Sequence, residues 1–317
     1  MTIMRNLVRW MPSLSRLWND RLNLIEERNR LTSQRSAGPR NFLFPNGVFE
    51  GTSTAPYMAY SFPIASDFYH PRFSEFLRRY NGHPFQMHRK LWEYAFIEHR
   101  LEEAGVLSAG KRGLGFGVGQ ELLPALFAKQ GCTILATDAP AELIGKTWVG
   151  SNEFAPSAHD LNHIGVMEKE EFLANVSYET CDMNSIGSHL RGFDFCWSAC
   201  CLEHLGNLQK GLDFIMNSLA TLKPGGMACH TTELNLSSNA ETVEEGGTVL
   251  YRRRDLEAFA RSVAEAGHEI EPIVITPMAT PIDHYVDVPP YSHDPHLKLL
   301  LGDYVSTSVG IVVRKMR

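Results

Sequence analysis

From Gln86 onward the hydrophobic positions alternate between stripes at helical spacing and short apolar runs of strand length. MHRKLWEYAFIEHRLEEAG, residues 87–105, carries a helical stripe and ends on Gly105, which lacks a β-carbon and can close a helix in the left-handed conformation. A short strand then runs into the glycines at 113–119, followed by a helix over ELLPALFAKQG, 121–131, and a strand over CTILATD, 132–138. After a polar stretch come the strands VSYETCDM, 176–183, and FDFCWSA, 193–199, the helix LQKGLDFIMNSLATLKPGG, 208–226, and the strand MACHTTELN, 227–235. The last third supplies a helix over RRDLEAFARSVAEAG, 253–267, a strand over EIEPIVIT, 269–276, and a final strand over TSVGIVVRK, 307–315. The recurring strand, helix, strand order predicts an α/β fold: a doubly wound, Rossmann-like sheet, mostly parallel and covered on both faces. The closing pair of strands, joined without a helix, predicts an antiparallel edge.

Residues 1–89 read differently and are expected to form an extension ahead of a main domain at 90–317, which carries a polar insert at 277–303. Pro12 is placed to open an amphipathic helix, with Leu14, Leu17, Trp18, Leu24, Ile25 and Leu31 near one face and Glu26, Glu27, Arg28 and Arg30 on the other. Such a helix either docks on its own core or pairs with the same helix of a second copy in a homodimer. The stretch from Arg35 to Phe85 is rich in Pro, Gly, Ser and aromatic residues and predicts an irregular segment lying over another surface.

Charge narrows the partners. Against 36 Asp and Glu stand 30 Lys and Arg, a formal charge of −6, so no global positive field draws in a nucleic-acid backbone. No run approaches the roughly 20 apolar residues of a membrane span, and the first residues lack the pattern of a cleaved leader; a soluble, cytoplasmic protein is expected. Six cysteines include the adjacent pair Cys200 and Cys201, which is no spaced metal motif, so reduced, mostly structural thiols are expected.

In an open parallel sheet, a ligand lies beyond the carboxyl ends of the strands where strand order reverses. The run from Gly113 through Gly115 and Gly117 to Gly119 falls at that place. A dinucleotide fingerprint would need glycine at Val118 or Gln120, so the spacing is G-x-G-x-G, which favours another adenosine ligand over NAD. Asp138 ends the next strand, where a carboxylate can accept from both ribose hydroxyls of an adenosine. Asp182 and Met183 end the third, placed to accept from an adenine amino group and to pack against the ring.

With these segments in hand, residues 90–317 resemble a class I S-adenosylmethionine-dependent methyltransferase. GLGFGVG at 113–119, ILATD at 134–138, TCDM at 180–183, FDFCWSACCLEH at 193–204 and LKPGG at 222–226 stand in that family's order. The resemblance implies a seven-stranded sheet with its last strand antiparallel and S-adenosyl-L-methionine as cofactor. It also implies that Gly115, Gly117 and Gly119 line the methionine end, Asp138 holds ribose, Asp182 and Met183 hold adenine, and Ser198 floors the reaction site. The family commonly has an acidic residue two positions before the first glycine of GxGxG; here that position is Gly113, and Glu121 is the nearest replacement carboxylate.

Methyl transfer to oxygen or nitrogen needs a base for the acceptor's proton, a role that suits histidine. His204, after the fourth strand, is the first candidate, with His230 and His284 behind it. The late insert adds Tyr285, Asp287, Tyr291, His293 and His296. Ubiquinone-pathway O-methyltransferases, which resemble this stretch, can hold a divalent ion through an E-x-x-E-H pattern. Glu203 and His204 match its end, but Cys200 stands at its first acidic position. Glu233 could complete such a site, yet with one ligand missing no metal is assigned. The mixture of carboxylates, amides, histidines and tyrosines suggests a small hydroxyl-bearing acceptor, a sugar or polysaccharide precursor, with O-methylation favoured. The alternative is a catalytically silent adenosine-binding module of a larger assembly.

Overall fold

The computed structural model of the protein describes residues 56–80, 84–140, 143, 161–162, 165–275, 278 and 280–317. The helix expected after Pro12, and with it the dimer it would form, lies outside these residues.

Among the described residues eight strands form one sheet: β1 (Arg112–Phe116), β2 (Thr133–Asp138), β3 (Val176–Thr180), β4 (Phe193–Ala199), β5 (Leu222–Asn235), β6 (Glu269–Ile270), β7 (Leu299–Leu301) and β8 (Tyr304–Arg314). The order is β3-β2-β1-β4-β5-β8-β6, with β7 paired to β8. Strands β1 to β5 are mutually parallel, and β8 runs antiparallel to β5, β6 and β7. The doubly wound sheet with an antiparallel end is therefore present. It differs from the seven-stranded expectation by one strand, since the end of the polar insert folds back as β7. The reversal of order between β1 and β4 places the carboxyl ends of both strands at the ligand crevice of such sheets.

The described helices are α1 (Ala65–Tyr69), α2 (Pro71–Arg79), α3 (Arg89–Glu103), α4 (Leu123–Lys129), α5 (Lys169–Asn175), α6 (Leu208–Ser218), α7 (Arg253–Glu265) and α8 (Pro281–His284). Strand pleating sends alternate residues to two cores. Phe195 and Trp197 of β4 join Trp92 and Phe96 of α3 and Phe127 of α4 on one face. Leu114, Phe116 and Cys196 join Phe214 of α6 and Phe259 of α7 on the other. The segment before α3, expected to be irregular, instead carries α1 and α2 and is part of the first core, contributing Met58, Phe68, Phe73 and Phe76. It is fastened there by Asp67, which accepts from Trp92 Nε1 at 2.9 Å and from the Met58 amide at 3.1 Å.

Glycine in β1 serves packing. Gly113 and Gly115 sit opposite Phe195 and Trp197 in register. A β-carbon at Gly113 would lie 2.3 Å from the Phe195 ring, and one at Gly115 2.6 Å from that of Trp197. Two large rings thus lie over bare main chain, with Phe127 packed edge-on against both.

Candidate active site

Beyond Phe116 the chain turns through Gly117 and Gly119, at φ 58° and 49°. A β-carbon at Gly117 would in addition meet Cys201 Sγ at 2.9 Å, so sterics and backbone conformation both call for glycine there. Asp138 fastens this loop. Its Oδ2 accepts from the Gly119 amide at 3.2 Å and its Oδ1 from the Ala139 amide at 2.8 Å. The end of β2 and the glycine loop after β1 are therefore joined through one carboxylate.

A cavity of about 420 Å³ opens against the loop, lined on that side by Gly117, Gly119 and Glu121. The turn after β4 supplies Cys200, Cys201, Glu203 and His204, and the start of α3 supplies Arg89, Lys90 and Tyr94. His204 Nδ1 lies 2.7 Å from the Gly247 carbonyl oxygen. A carbonyl can only accept, so Nδ1 carries the ring proton and, in the neutral ring, Nε2 is the basic nitrogen. Nε2 lies 3.8 Å from Oε1 of Glu203, whose Oε2 accepts from Thr232 Oγ1 at 3.0 Å. Burial pushes the Glu203 carboxyl up, opposed by the neighbouring His204.

Opposite stands a network that the sequence did not announce. Arg89 pairs with Glu233, donates to Ser308 Oγ at 3.1 Å and lies 3.6 Å from Glu93. Lys90 Nζ lies 2.7 Å from Glu93 and donates to the Ala199 carbonyl at 3.3 Å. Burial works against the charge on Lys90, yet Glu93 beside it holds the ammonium well above its ordinary pKa. Cys200, Glu203 and Glu233 do bring ligand atoms within 4.8 Å of one another. Arg89 is nonetheless the cation of this cluster, on Glu233 and 4.0 Å from Cys200 Sγ. Burial also pushes the Cys200 thiol far up, keeping it protonated.

Other candidates fall elsewhere. Gly115 belongs to the strand under Trp197. Asp182 accepts from the Asn184 amide at 2.8 Å in a tight turn after β3, and Met183 Sδ lies 3.5 Å from where a Gly117 β-carbon would sit. Neither lines the cavity. Ser198 and His230 are fully buried and bonded to each other, Oγ to Nδ1 at 2.8 Å, with Ser218 of α6 3.3 Å from Nε2. Strand alternation carries both to the α6 face, away from the cavity, so the floor and base roles expected of them give way to a core hydrogen bond. His284 is exposed at the end of α8, its Nε2 3.2 Å from the Met278 carbonyl, and does not line the cavity either.

No protein-family model matches the chain, and no curated protein matches it. Among solved structures it is similar to the [4+2]-cyclase SpnF at 19% identity, covering 56% of this chain and 58% of that one, with a TM-score of 0.41. A putative sarcosine dimethylglycine methyltransferase from Galdieria sulphuraria matches at 16% identity over 56% of this chain and 60% of its own, TM-score 0.38. A Burkholderia thailandensis 1,6-didemethyltoxoflavin-N1-methyltransferase, with S-adenosylhomocysteine bound, matches at 14% identity over 78% and 88%, TM-score 0.42. The chain thus spans less than two thirds of the first two.

Glu121 is buried at the cavity edge, accepting from Trp197 Nε1 at 2.6 Å. Burial pushes its carboxyl up to about 8, the Trp197 bond pulling the other way. The folded state therefore holds this proton more tightly than the unfolded chain does. The group's contribution is full below the ordinary carboxylate value and is lost as pH rises toward 8. Glu121→Gln keeps an oxygen for Trp197 and does not titrate. Its stability relative to wild type is expected to grow by up to ~1.4 kcal/mol per pH unit across that window. Urea midpoints of both proteins at pH 5, 6.5 and 8 check this; parallel profiles would place the Glu121 proton elsewhere.

Proposed function

We propose that the chain is an S-adenosylmethionine-dependent methyltransferase acting on an oxygen of a small hydroxyl-bearing acceptor, a sugar or polysaccharide precursor. The observation that carries this is the pairing, across one cavity, of a glycine loop fastened by Asp138 with a histidine whose tautomer presents Nε2 as base. S-Adenosylmethionine, when bound, supplies an electrophilic methyl group on a cationic sulfur. Gly117 and Gly119 present main chain without side chains to the methionine end. The Asp138 carboxylate, which holds the Gly119 and Ala139 amides, stands at the end of β2 where a ribose diol is received. Met183, beside Gly117, and its chain neighbour Asp182 complete the nucleoside end outside the lining of this cavity.

On the acceptor side His204 takes the hydroxyl proton, with Glu203 placed to stabilise the imidazolium that results. Arg89, Lys90, Glu233 and Thr248 give the wall the mixed donors and acceptors that hydroxyl groups require. The protein's remaining task is to hold the acceptor oxygen in near-attack geometry and exclude water.

Titration of the purified chain with S-adenosylmethionine and, separately, with NAD tests the cofactor. Saturable binding of the first and none of the second is expected. Asp138→Ala removes the acceptor of two charge-assisted hydrogen bonds and is expected to weaken S-adenosylmethionine binding ~30-fold. Equal affinity in wild type and variant would move the ribose away from Asp138.

A further inference from the structure

Away from the cavity network, three imidazoles from distant parts of the sequence meet where the chain enters α3. His88 precedes that helix, while His293 and His296 come from the polar insert. Main-chain bonds hold the two segments together: the His296 amide donates to the Met87 carbonyl at 2.7 Å, and the Arg89 amide to the His296 carbonyl at 3.0 Å. The rings of His88 and His296 stack at 4.7 Å, and those of His293 and His296 lie 5.1 Å apart. One nitrogen from each ring lies within 4.8 Å of the others.

Asp287 makes this more than a stack. It is fully buried, and its Oδ2 lies 2.7 Å from His296 Nδ1. The same oxygen accepts from the His293 amide at 3.0 Å, and Oδ1 from the Ser292 amide at 2.9 Å. A carboxylate accepting from Nδ1–H sets the tautomer and leaves Nε2 as the ligand nitrogen, the arrangement found behind metal-bound histidines. The nearest guanidinium, Arg89, is committed to Glu233, Glu93 and Ser308. Asp294, which accepts from the Met87 amide, adds a second acidic group.

We propose that His88, His293 and His296 form a binding site for a borderline divalent transition ion of the zinc type, with Asp287 orienting His296. Nitrogen donors without a carboxylate ligand suit Zn²⁺, Co²⁺ or Ni²⁺ and disfavour Mg²⁺ and Ca²⁺. Bond lengths near 2.0–2.1 Å require the three nitrogens to converge on one point. His88 pays for entry with its cap: its Nδ1 now accepts from the Lys90 amide at 3.1 Å. That ring gives up the bond when it ligates. The bound ion ties the insert to the residue before Arg89 and so stiffens the acceptor-side wall. The site is independent of the methyl-transfer proposal.

The test uses the full chain, stripped with chelator and titrated with ZnCl₂ against a chromophoric competitor, with Co²⁺ spectra as a second readout. One equivalent of Zn²⁺ bound at micromolar or tighter Kd is expected, together with a rise in thermal midpoint. His293 is exposed, so His293→Asn removes an imidazole with little risk to folding, and asparagine tolerates the positive φ of 62° there. It is expected to weaken Zn²⁺ at least 100-fold and to abolish the thermal shift. Asp287→Asn should weaken binding about 10-fold, while Cys200→Ser leaves it unchanged. The proposal is overturned if wild type takes up no stoichiometric Zn²⁺ below about 100 µM, if His293→Asn binds as wild type does, or if the loss follows Cys200→Ser instead.

Discussion

Replacing His204 by alanine is expected to lower turnover by about 10²–10³-fold while S-adenosylmethionine binds within a factor of about three of wild type, the range general-base removal produces. The split follows from geometry. His204 stands on the turn after β4 with Nδ1 held by the Gly247 carbonyl, whereas Asp138 ends β2 and holds the Gly119 and Ala139 amides. Deleting it removes the acceptor of the substrate proton and leaves the nucleoside end intact. The measurement is a product assay with the hydroxylated acceptor that gives the highest rate in a screen, together with calorimetric titration of the cofactor in both proteins. His204→Gln separates positioning from basicity, since an amide can hold the acceptor hydroxyl but cannot take its proton; it should be as slow as His204→Ala. Turnover surviving in both variants would make His204 a wall residue. Glu203, buried 3.8 Å from Nε2, would then be the next group to replace.

Much of this arrangement was legible because the chemistry of a strand end constrains residue type. Glycine followed by positive φ at Gly117 and Gly119, and a carboxylate ending β2, are local requirements and leave a local trace. Ser198 and His230 misled for the opposite reason. FDFCWSA and MACHTTELN are buried on both faces, so their text carries no alternation to show which residues face the cavity, and a shift of one position exchanges the faces. Arg89, Lys90 and Tyr94 were hidden inside a helix read as amphipathic. What singles out Arg89 is pairing with Glu233 and Ser308, and Lys90 its bond to the Ala199 carbonyl, contacts that exist only once α3 lies across the ends of β4, β5 and β8. Strand β7 does leave a signal in the sequence: Leu301 and Tyr304 flank Gly302-Asp303, a two-residue hairpin turn with φ 60° at the glycine.

The departure at Gly113 supplies the second large effect. Gly113→Glu, which installs the acidic residue type common at this position in the family the chain resembles, is expected to prevent folding. The new β-carbon would fall 2.3 Å from the Phe195 ring and 2.8 Å from Ile134 Cδ1. Overpacking costs about 1–3 kcal/mol, and an unpaired carboxylate among Phe195, Ile134 and Phe127 costs several more. Together these approach the ~5–15 kcal/mol that holds a typical domain together. The milder Gly113→Ala isolates the steric part. It should lower the urea midpoint, and Phe195→Leu in the same chain should restore part of the loss, a coupling of ~1 kcal/mol or more between residues in contact. Additive losses would mean that the ring does not lie over the glycine. With Phe195 and Trp197 filling the space above β1, an acidic side chain has no room at 113. Glu121, whose carboxyl meets the Trp197 indole from the start of the following segment, does reach the cavity edge. Placing an acid at 113 should therefore fail even in a Glu121→Gln background, because what excludes it is the aromatic pair and not the charge already present.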